Sequence, residues 1–391
     1  MRQSIVVWML MLVFLPGCRD AGDGSGWDGA VERSDVVTGE LEGWAVGRNY
    51  NTTMPGVLLH FVDGAWSQVP VADAPANWLL TGVSFVDAAH GWAVGSWIDG
   101  NEPEYRGLVL RYAGDEWAQD ELPARDGRWY LTDVHFTDAA HGWAVGYDTT
   151  EGVGVVLRFA DGAWREEEVE PFDGSWLLKG VAMTSAGAGR AVGFSYDEAG
   201  AKDSLALVYD GETWTRDTDV PPMRTLEDIA VGAADEYWAI GFMGSGQTRL
   251  LHHAGGGWES TTWPDASAYG SYGGTVASIA LRGAGTGWAT NGSADAALSF
   301  DGAQWQEVSL LSHTQKWGIR ATCALPGGGA WVAGAAYRPA DEPDSEGLPY
   351  DIGEGLLLHY DPAGGWTRQE APTWAGQANT WDVADLACFT H

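Results

Sequence analysis

Short runs of alternating apolar and polar residues, each closed by a glycine-bearing turn, fill this chain from about residue 39 onward and carry the period of two that marks β-strands. The runs repeat. WLLTGVSFVDAAHGWAVG at Trp78–Gly95 returns as WYLTDVHFTDAAHGWAVG at Trp129–Gly146. The spacing averages about 48 residues, the length of one propeller blade. Each copy reads as four strands: an apolar strand A, a small-residue turn, a GWAVG strand B, a variable loop, a strand C such as GLVLRY or GVVLRF, and a glycine turn leading to a Trp on strand D.

Counting tests this pattern, because every strand type must recur equally often. Strand D carries Trp66, Trp117, Trp164, Trp214, Trp258, Trp305 and Trp366. Strand B carries Trp44, Trp92, Trp143, Trp238, Trp288 and Trp331, with Arg190 in GRAVG at the seventh place. Strand A opens on Trp78, Trp129, Trp176, Trp317 and Trp381, and the remaining copies are TLEDIAV from Thr225 and GTVASIAL from Gly274. All three strand types number seven. The pattern predicts an all-β, seven-bladed β-propeller with four-stranded blades. Because the chain enters at strand B and ends on strand A, the closing blade is shared by its N- and C-terminal segments, which removes two open sheet edges.

Ahead of the repeats stands MRQSIVVWMLMLVFLPGC, with an apolar run at Ile5–Leu15 too short to span a bilayer, and therefore an export signal by its pattern. Leu15-Pro16-Gly17-Cys18 resembles the lipobox of bacterial lipoproteins, which implies cleavage before Cys18, acylation of its thiol and a lipid anchor in a membrane. Arg19 after the cysteine favours outer-membrane or surface placement. The Gly- and Asp-rich stretch that follows is aperiodic, so the expected organisation is a signal peptide at 1–17, a flexible tether at 18–38 and the propeller at 39–391. Fifty-four acidic residues against 21 basic ones, a net charge of −33, exclude nucleic acid as a natural partner.

Cys323 and Cys388 lie six and seven residues past Trp317 and Trp381, in strands A of the sixth and closing blades. That parity points them to opposite faces of their own blades, and those faces could meet across the joint. A disulfide and a pair of buried thiols both fit.

Function is expected on the propeller face where the D-to-A and B-to-C connections gather. Its B-to-C stretches vary in length and carry Tyr105, Tyr196, Tyr337 and Tyr350 among many carboxylates, whereas the A-to-B and C-to-D turns of the other face are short and uniform. His90 and His141 occupy equivalent turns there, a geometric role rather than a metal site. The Trps opening strand A, namely Trp78, Trp129, Trp176, Trp317 and Trp381, reach the variable face too, where they could ring the channel mouth as a platform for sugars or peptides. Their default role is as flat wedges that fill the space between blades. No stretch has the spaced acidic pattern of a calcium loop, and no cofactor motif is present.

The stretch V-x-F-x-D-x-x-H-G-W-A-V-G at Val83–Gly95 and Val134–Gly146 resembles the broad BNR-like propeller superfamily, which includes photosystem II stability/assembly factors and sialidase-type repeats; some C-to-D turns are closer to kelch repeats. The resemblance covers Gly39 to the C-terminus and implies a propeller, while enzymes, assembly factors and binders share that fold. The sialidase box is one residue short at Asp210–Trp214 and has Val208 where Ser or Thr belongs. Only Lys179 and Arg320 are basic at the third residue past the start of strand A, so no arginine triad forms. The expectation is a non-catalytic scaffold for a protein or polysaccharide ligand. The alternative is a glycan-active enzyme with paired carboxylates at the channel mouth.

Overall fold

The computed structural model describes residues 41–49, 56–75, 77–99, 104–233, 235–244, 247–263, 277–283, 285–292, 296–339, 351–372 and 381–390. The leader, Cys18, the tether and Tyr350 lie outside the described residues. Seven four-stranded antiparallel sheets form a ring, the all-β seven-bladed propeller that the strand counts predict. Numbered by strand A, blades 1 to 6 begin with Trp78–Asp87, Trp129–Asp138, Ser175–Ser185, Thr225–Val231, Ser278–Arg282 and Lys316–Ala324, and strands B, C and D follow outward in sequence. Blade 7 is the composite: Trp381–Thr390 pairs with Leu41–Asn49, which pairs with Val57–Val62 and then Ala65–Gln68. Each strand A touches the strands A of both neighbouring blades, blade 7 against blade 1 included, so the ring is closed.

The inner strands share an irregularity. The A–B register slips by one residue at Thr81, Thr132, Lys179, Glu227, Arg320 and Ala384. Such a bulge re-aims one side chain, here toward the central channel. It also explains the last glycine of GWAVG. A Cβ on Gly47, Gly95, Gly146, Gly193, Gly241 or Gly334 would overlap the carbonyl oxygen of the strand A residue just before its pairing partner. In blade 5 strands A and B pair from Ser278 to Arg282 without a slip, and Asn291 stands where the other blades have glycine.

The Trps that open strand A are the wedges between blades. Trp78, Trp129, Trp176, Trp317 and Trp381 are between 1% and 7% exposed, so they form no rim open to a ligand. Four of them lie over a glycine in or just before the first half of strand C in the preceding blade: a Cβ on Gly56, Gly107, Gly154 or Gly355 would fall inside the indole of Trp78, Trp129, Trp176 or Trp381. Blades 4 and 5 lack the opening Trp, and the blades before them carry Ser204 and Thr248 at the matching place. Ring and missing side chain act as one packing unit. Trp129→Ala would leave a void facing Gly107 that no neighbour can fill. It should lower stability by about 3 kcal/mol in denaturant unfolding, and a loss under about 1 kcal/mol would contradict the wedge.

The joint between blades 6 and 7 is cross-linked. Cys323 and Cys388 form a disulfide with Cα atoms 6.1 Å apart. At the equivalent joint between blades 1 and 2 the Phe136 N–H donates to Ser84 Oγ at 3.1 Å, so the disulfide replaces a hydrogen bond at a place the repeat already brings together. Closing a loop with a sequence separation of 65 restricts the unfolded chain. Cys323→Ser/Cys388→Ser should therefore lose about 3 kcal/mol relative to the oxidised protein, and added reductant should no longer shift its unfolding midpoint.

Candidate binding site at the channel mouth

The bulge residues and those just after them line a central cavity of about 210 Å³. Deepest are three aspartates. Asp385 of blade 7 accepts the Val83 N–H of blade 1 at 2.8 Å. Asp133 of blade 2 accepts its own strand's Val134 N–H at 2.7 Å and the Val181 N–H of blade 3 at 2.8 Å. Asp228 of blade 4 does the same with Ile229 at 2.7 Å and Ile279 of blade 5 at 2.8 Å. Gly82 and Gly180 hold the matching places in blades 1 and 3, and a Cβ on Gly82 would come within 2.9 Å of the Asp133 Cα. In blade 5 the place belongs to Ser278, whose Oγ accepts the Thr322 N–H of blade 6 at 3.3 Å. Thr81 and Thr132 donate across the joints to the carbonyls of Leu131 at 2.8 Å and Leu178 at 3.0 Å. The floor of the site is therefore a clasp between blades. Burial pushes Asp133 well above the usual carboxylate range, Asp228 to about 6 and Asp385 to about 7, and Asp228 and Asp385 add to the rise at Asp133 by like-charge repulsion.

Toward the variable face, charged side chains of both signs meet. On one side Asp382, buried, binds Arg48 at 3.3 Å and Arg320 at 3.0 Å. Arg320 also donates to the Tyr337 hydroxyl at 3.4 Å, and that ring lies between Gly318 and Gly353. On the other side Glu227 is 9% exposed; burial raises its pKa, while Lys179, Lys202 and Arg224 act in the opposite direction. The Lys202 ammonium lies 4.0 Å from the centre of the Phe194 ring and 5.6 Å from that of Tyr196. Burial, then the like charges of Arg224 and Lys179, lower its pKa. Tyr130 lies 6.1 Å from Tyr147 and within electrostatic reach of Tyr196; burial is the main cause of its raised pKa. Of the charged side chains just named among the described residues, five are cations and two are carboxylates, and Asp133, Asp228 and Asp385 lie deeper in the same channel.

The residues singled out by the sequence are divided by this geometry. Tyr196 and Tyr337 stand at the mouth, but on opposite charge groups. Tyr105 is 38% exposed on the B–C hairpin of blade 1. Several stretches expected as loops are hairpin arms: Ser96–Asp99 pairs with Glu104–Gly107, Phe194–Tyr196 with Lys202–Ser204, and Ala335–Pro339 with Asp351–Gly355. Tyr130, Lys202, Arg224 and Asp382 escape the sequence pattern; the signal that would find Tyr130 and Asp382 is their place directly after the opening Trp. On the opposite face His90 and His141 contact Asp87 at 2.8 Å and Asp138 at 2.9 Å within their own turns. No three His, Cys, Asp or Glu among the described residues are grouped so as to hold a metal ion.

No family model and no curated protein sequence matches the chain. Solved structures do. The Pseudomonas aeruginosa periplasmic gluconolactonase PpgL is 16% identical, with a TM-score of 0.55, 89% of this chain and 99% of that one covered. A putative 6-phosphogluconolactonase from Bacteroides fragilis is 14% identical, with a TM-score of 0.51 and coverages of 91% and 99%. YCF48 from Cyanidioschyzon merolae is 16% identical, with a TM-score of 0.49 and coverages of 84% and 98%. The likeness is one of fold alone. A shared fold assigns no activity, so activity has to be argued from the channel itself.

Proposed function

We propose that the chain is an exported lipoprotein, with residues 1–17 as signal peptide, Cys18 as the acylated anchor, 18–38 as tether and 39–391 as a propeller that binds a protein or glycan through its variable face without catalysing a reaction. The observation that carries the non-catalytic half is the bonding of the channel aspartates. A glycosidase needs one carboxyl group to protonate the leaving oxygen and a second to attack or to activate water, both free to reach substrate. Asp133 and Asp228 each accept a backbone N–H from their own blade and another from the next, and Asp385 accepts one across its joint. Their acceptor capacity holds blades together. Arg19 after the anchor supports an outer-membrane or surface location.

The two faces can be blocked separately. Tyr105→Cys on the variable face and Ala140→Cys in a turn of the other face would each be capped with a bulky maleimide. Capture of envelope proteins and glycans should fall only for the Tyr105 adduct; equal capture by both adducts contradicts binding on that face. For the anchor, labelling with a palmitate analogue should be lost in Cys18→Ala, and retained label would remove the lipoprotein half of the reading.

A further inference from the structure

The ligand class can be narrowed by a carboxylate that the fold does not use, an inference that rests on binding at the variable face. The central cavity of about 210 Å³ is lined by Asp133, Glu227, Asp228 and Asp385 against two cations, Lys179 and Arg320. Arg320 is already paired with Asp382 at 3.0 Å. The clasp accounts for the three aspartates, since each accepts a backbone N–H across a blade joint. Glu227 has no such task. It is 9% exposed and faces the cavity, yet among the described residues it forms no ion pair and no bond across a joint. The Thr225 hydroxyl on its own strand lies near enough to lower its pKa but outside hydrogen-bond geometry. Glu227 occupies the bulge, where blades 1 and 2 carry Thr81 and Thr132, whose hydroxyls donate to carbonyls of the next blade at 2.8 and 3.0 Å. Blade 7 has Ala384 there. A hydroxyl or a methyl group therefore satisfies the fold at this place. Burying a carboxylate without a partner is unfavourable, so one that faces a cavity marks a ligand contact.

We propose that this cavity is a subsite for one primary ammonium group on an unbranched stem, with Glu227 accepting its N–H donors and Asp133, Asp228 and Asp385 attracting it from the floor. Three features select this chemistry. Four carboxylates converge on one cavity inside the ring, where their fields add, and the chain's net charge of −33 draws cations toward it. No three acidic, His or Cys groups among the described residues are close enough to ligate a metal ion. An ammonium is held differently, by its three donors at short range and by its charge at longer range, so a single free carboxylate backed by three tied ones suits it. The cavity has room for roughly seven waters, enough for the head group with a short stem but not for a folded segment. Lys179, at the neighbouring bulge, attracts Glu227 from a distance without pairing with it, so it weakens the field and leaves the carboxylate open. The shared chemistry is an alkylammonium, carried either by a lysine side chain of a partner protein or by a free small amine.

The test uses the detergent-solubilised full-length protein and calorimetric titration with butylamine, butanol, Nα-acetyl-lysine amide and the same lysine derivative acetylated on Nζ. Wild type should bind at least one ammonium probe at a single site per chain and prefer it to its neutral counterpart by about tenfold or more. The tighter of the two amines tells a free amine from a lysine side chain. Two substitutions on neighbouring blades should act in opposite directions. Glu227→Gln keeps the size of the side chain and should lose the preference, whereas Lys179→Met removes a like charge and should strengthen ammonium binding by about twofold or more. Near-UV circular dichroism checks that each variant is folded, and the Met variant decides the matter should the Gln variant not fold. Equal binding of charged and neutral probes, an unchanged preference in Glu227→Gln, no gain in Lys179→Met, or no binding of either amine would each overturn the subsite. Tyr105 does not line this cavity, so the face-blocking experiment is independent: the subsite can fail while the variable-face reading stands.

Discussion

A chain ending at Thr380 is expected not to fold. The missing segment, Trp381–His391, contains the inner strand of blade 7, and its loss has three separable consequences. Trp381, Val383 and Leu386 are all buried, and each is worth about 1.5–3 kcal/mol of removed apolar surface. Their sum approaches the roughly 5–15 kcal/mol by which whole domains are stable. Blade 7 would keep only strands B, C and D, leaving Leu41–Asn49 as an unpaired edge facing the channel. The ring would also open at two joints at once, because Cys388 leaves Cys323 and Asp385 leaves the Val83 N–H. Near-UV circular dichroism should show loss of the fixed Trp environments and thermal unfolding should lose its cooperative step. A cooperative transition within about 5 °C of the intact chain would refute the closing role.

How legible this ring is from sequence depends on which period carries the information. Seven blades follow from counting Trps, since strand order repeats whatever the local geometry. The meeting of Cys323 and Cys388 is legible for a subtler reason: both strands bulge at the same place, at Arg320 and Ala384, so the one-residue slip cancels between them. The same bulge hides the site. A strict alternation from Trp176 places Lys179 on a blade face, while the bulge turns it to the channel, and nothing about a lone Lys announces that. The burial of Trp78, Trp129, Trp176 and Trp381 is encoded one blade earlier, in the glycines in or just before the first half of the preceding strands C. Pairing a large ring with an absent side chain some 20 residues upstream is a tertiary relation, invisible to any window as short as a strand. The hairpin arms around Ser96 and Ala335 read as loops because backbone pairing continues where the side chains turn polar.

Acidifying the protein from pH 8 to pH 5 is expected to stabilise it, against the usual behaviour of carboxylates that ion pairs stabilise. Burial holds Asp228 at about 6 and Asp385 at about 7, and pushes Asp133 well above its ordinary value, whereas in the unfolded chain all three titrate near about 4. A folded pKa above the unfolded one means that folding takes up protons. The stability these groups contribute is complete below about pH 4 and is lost as pH rises through about 6 to 7. One pKa unit corresponds to about 1.4 kcal/mol, so Asp228, which titrates over about one unit above pH 5, and Asp385, over about two, together amount to about 4 kcal/mol between pH 5 and pH 8, or about 2 kcal/mol with about half the effect screened by channel water. Relief of the general repulsion in a chain of charge −33 acts in the same direction, so wild type alone cannot separate the two. Asp385→Asn can. Its amide oxygen still accepts the Val83 N–H, its charge no longer titrates, and the overall charge changes by only one. Urea unfolding of both proteins at pH 5, 6, 7 and 8 should give curves that converge toward pH 5 and separate toward pH 8, with the variant the more stable at pH 8. Parallel curves would mean that Asp385 is ionised throughout and that the clasp is an ordinary set of charged hydrogen bonds.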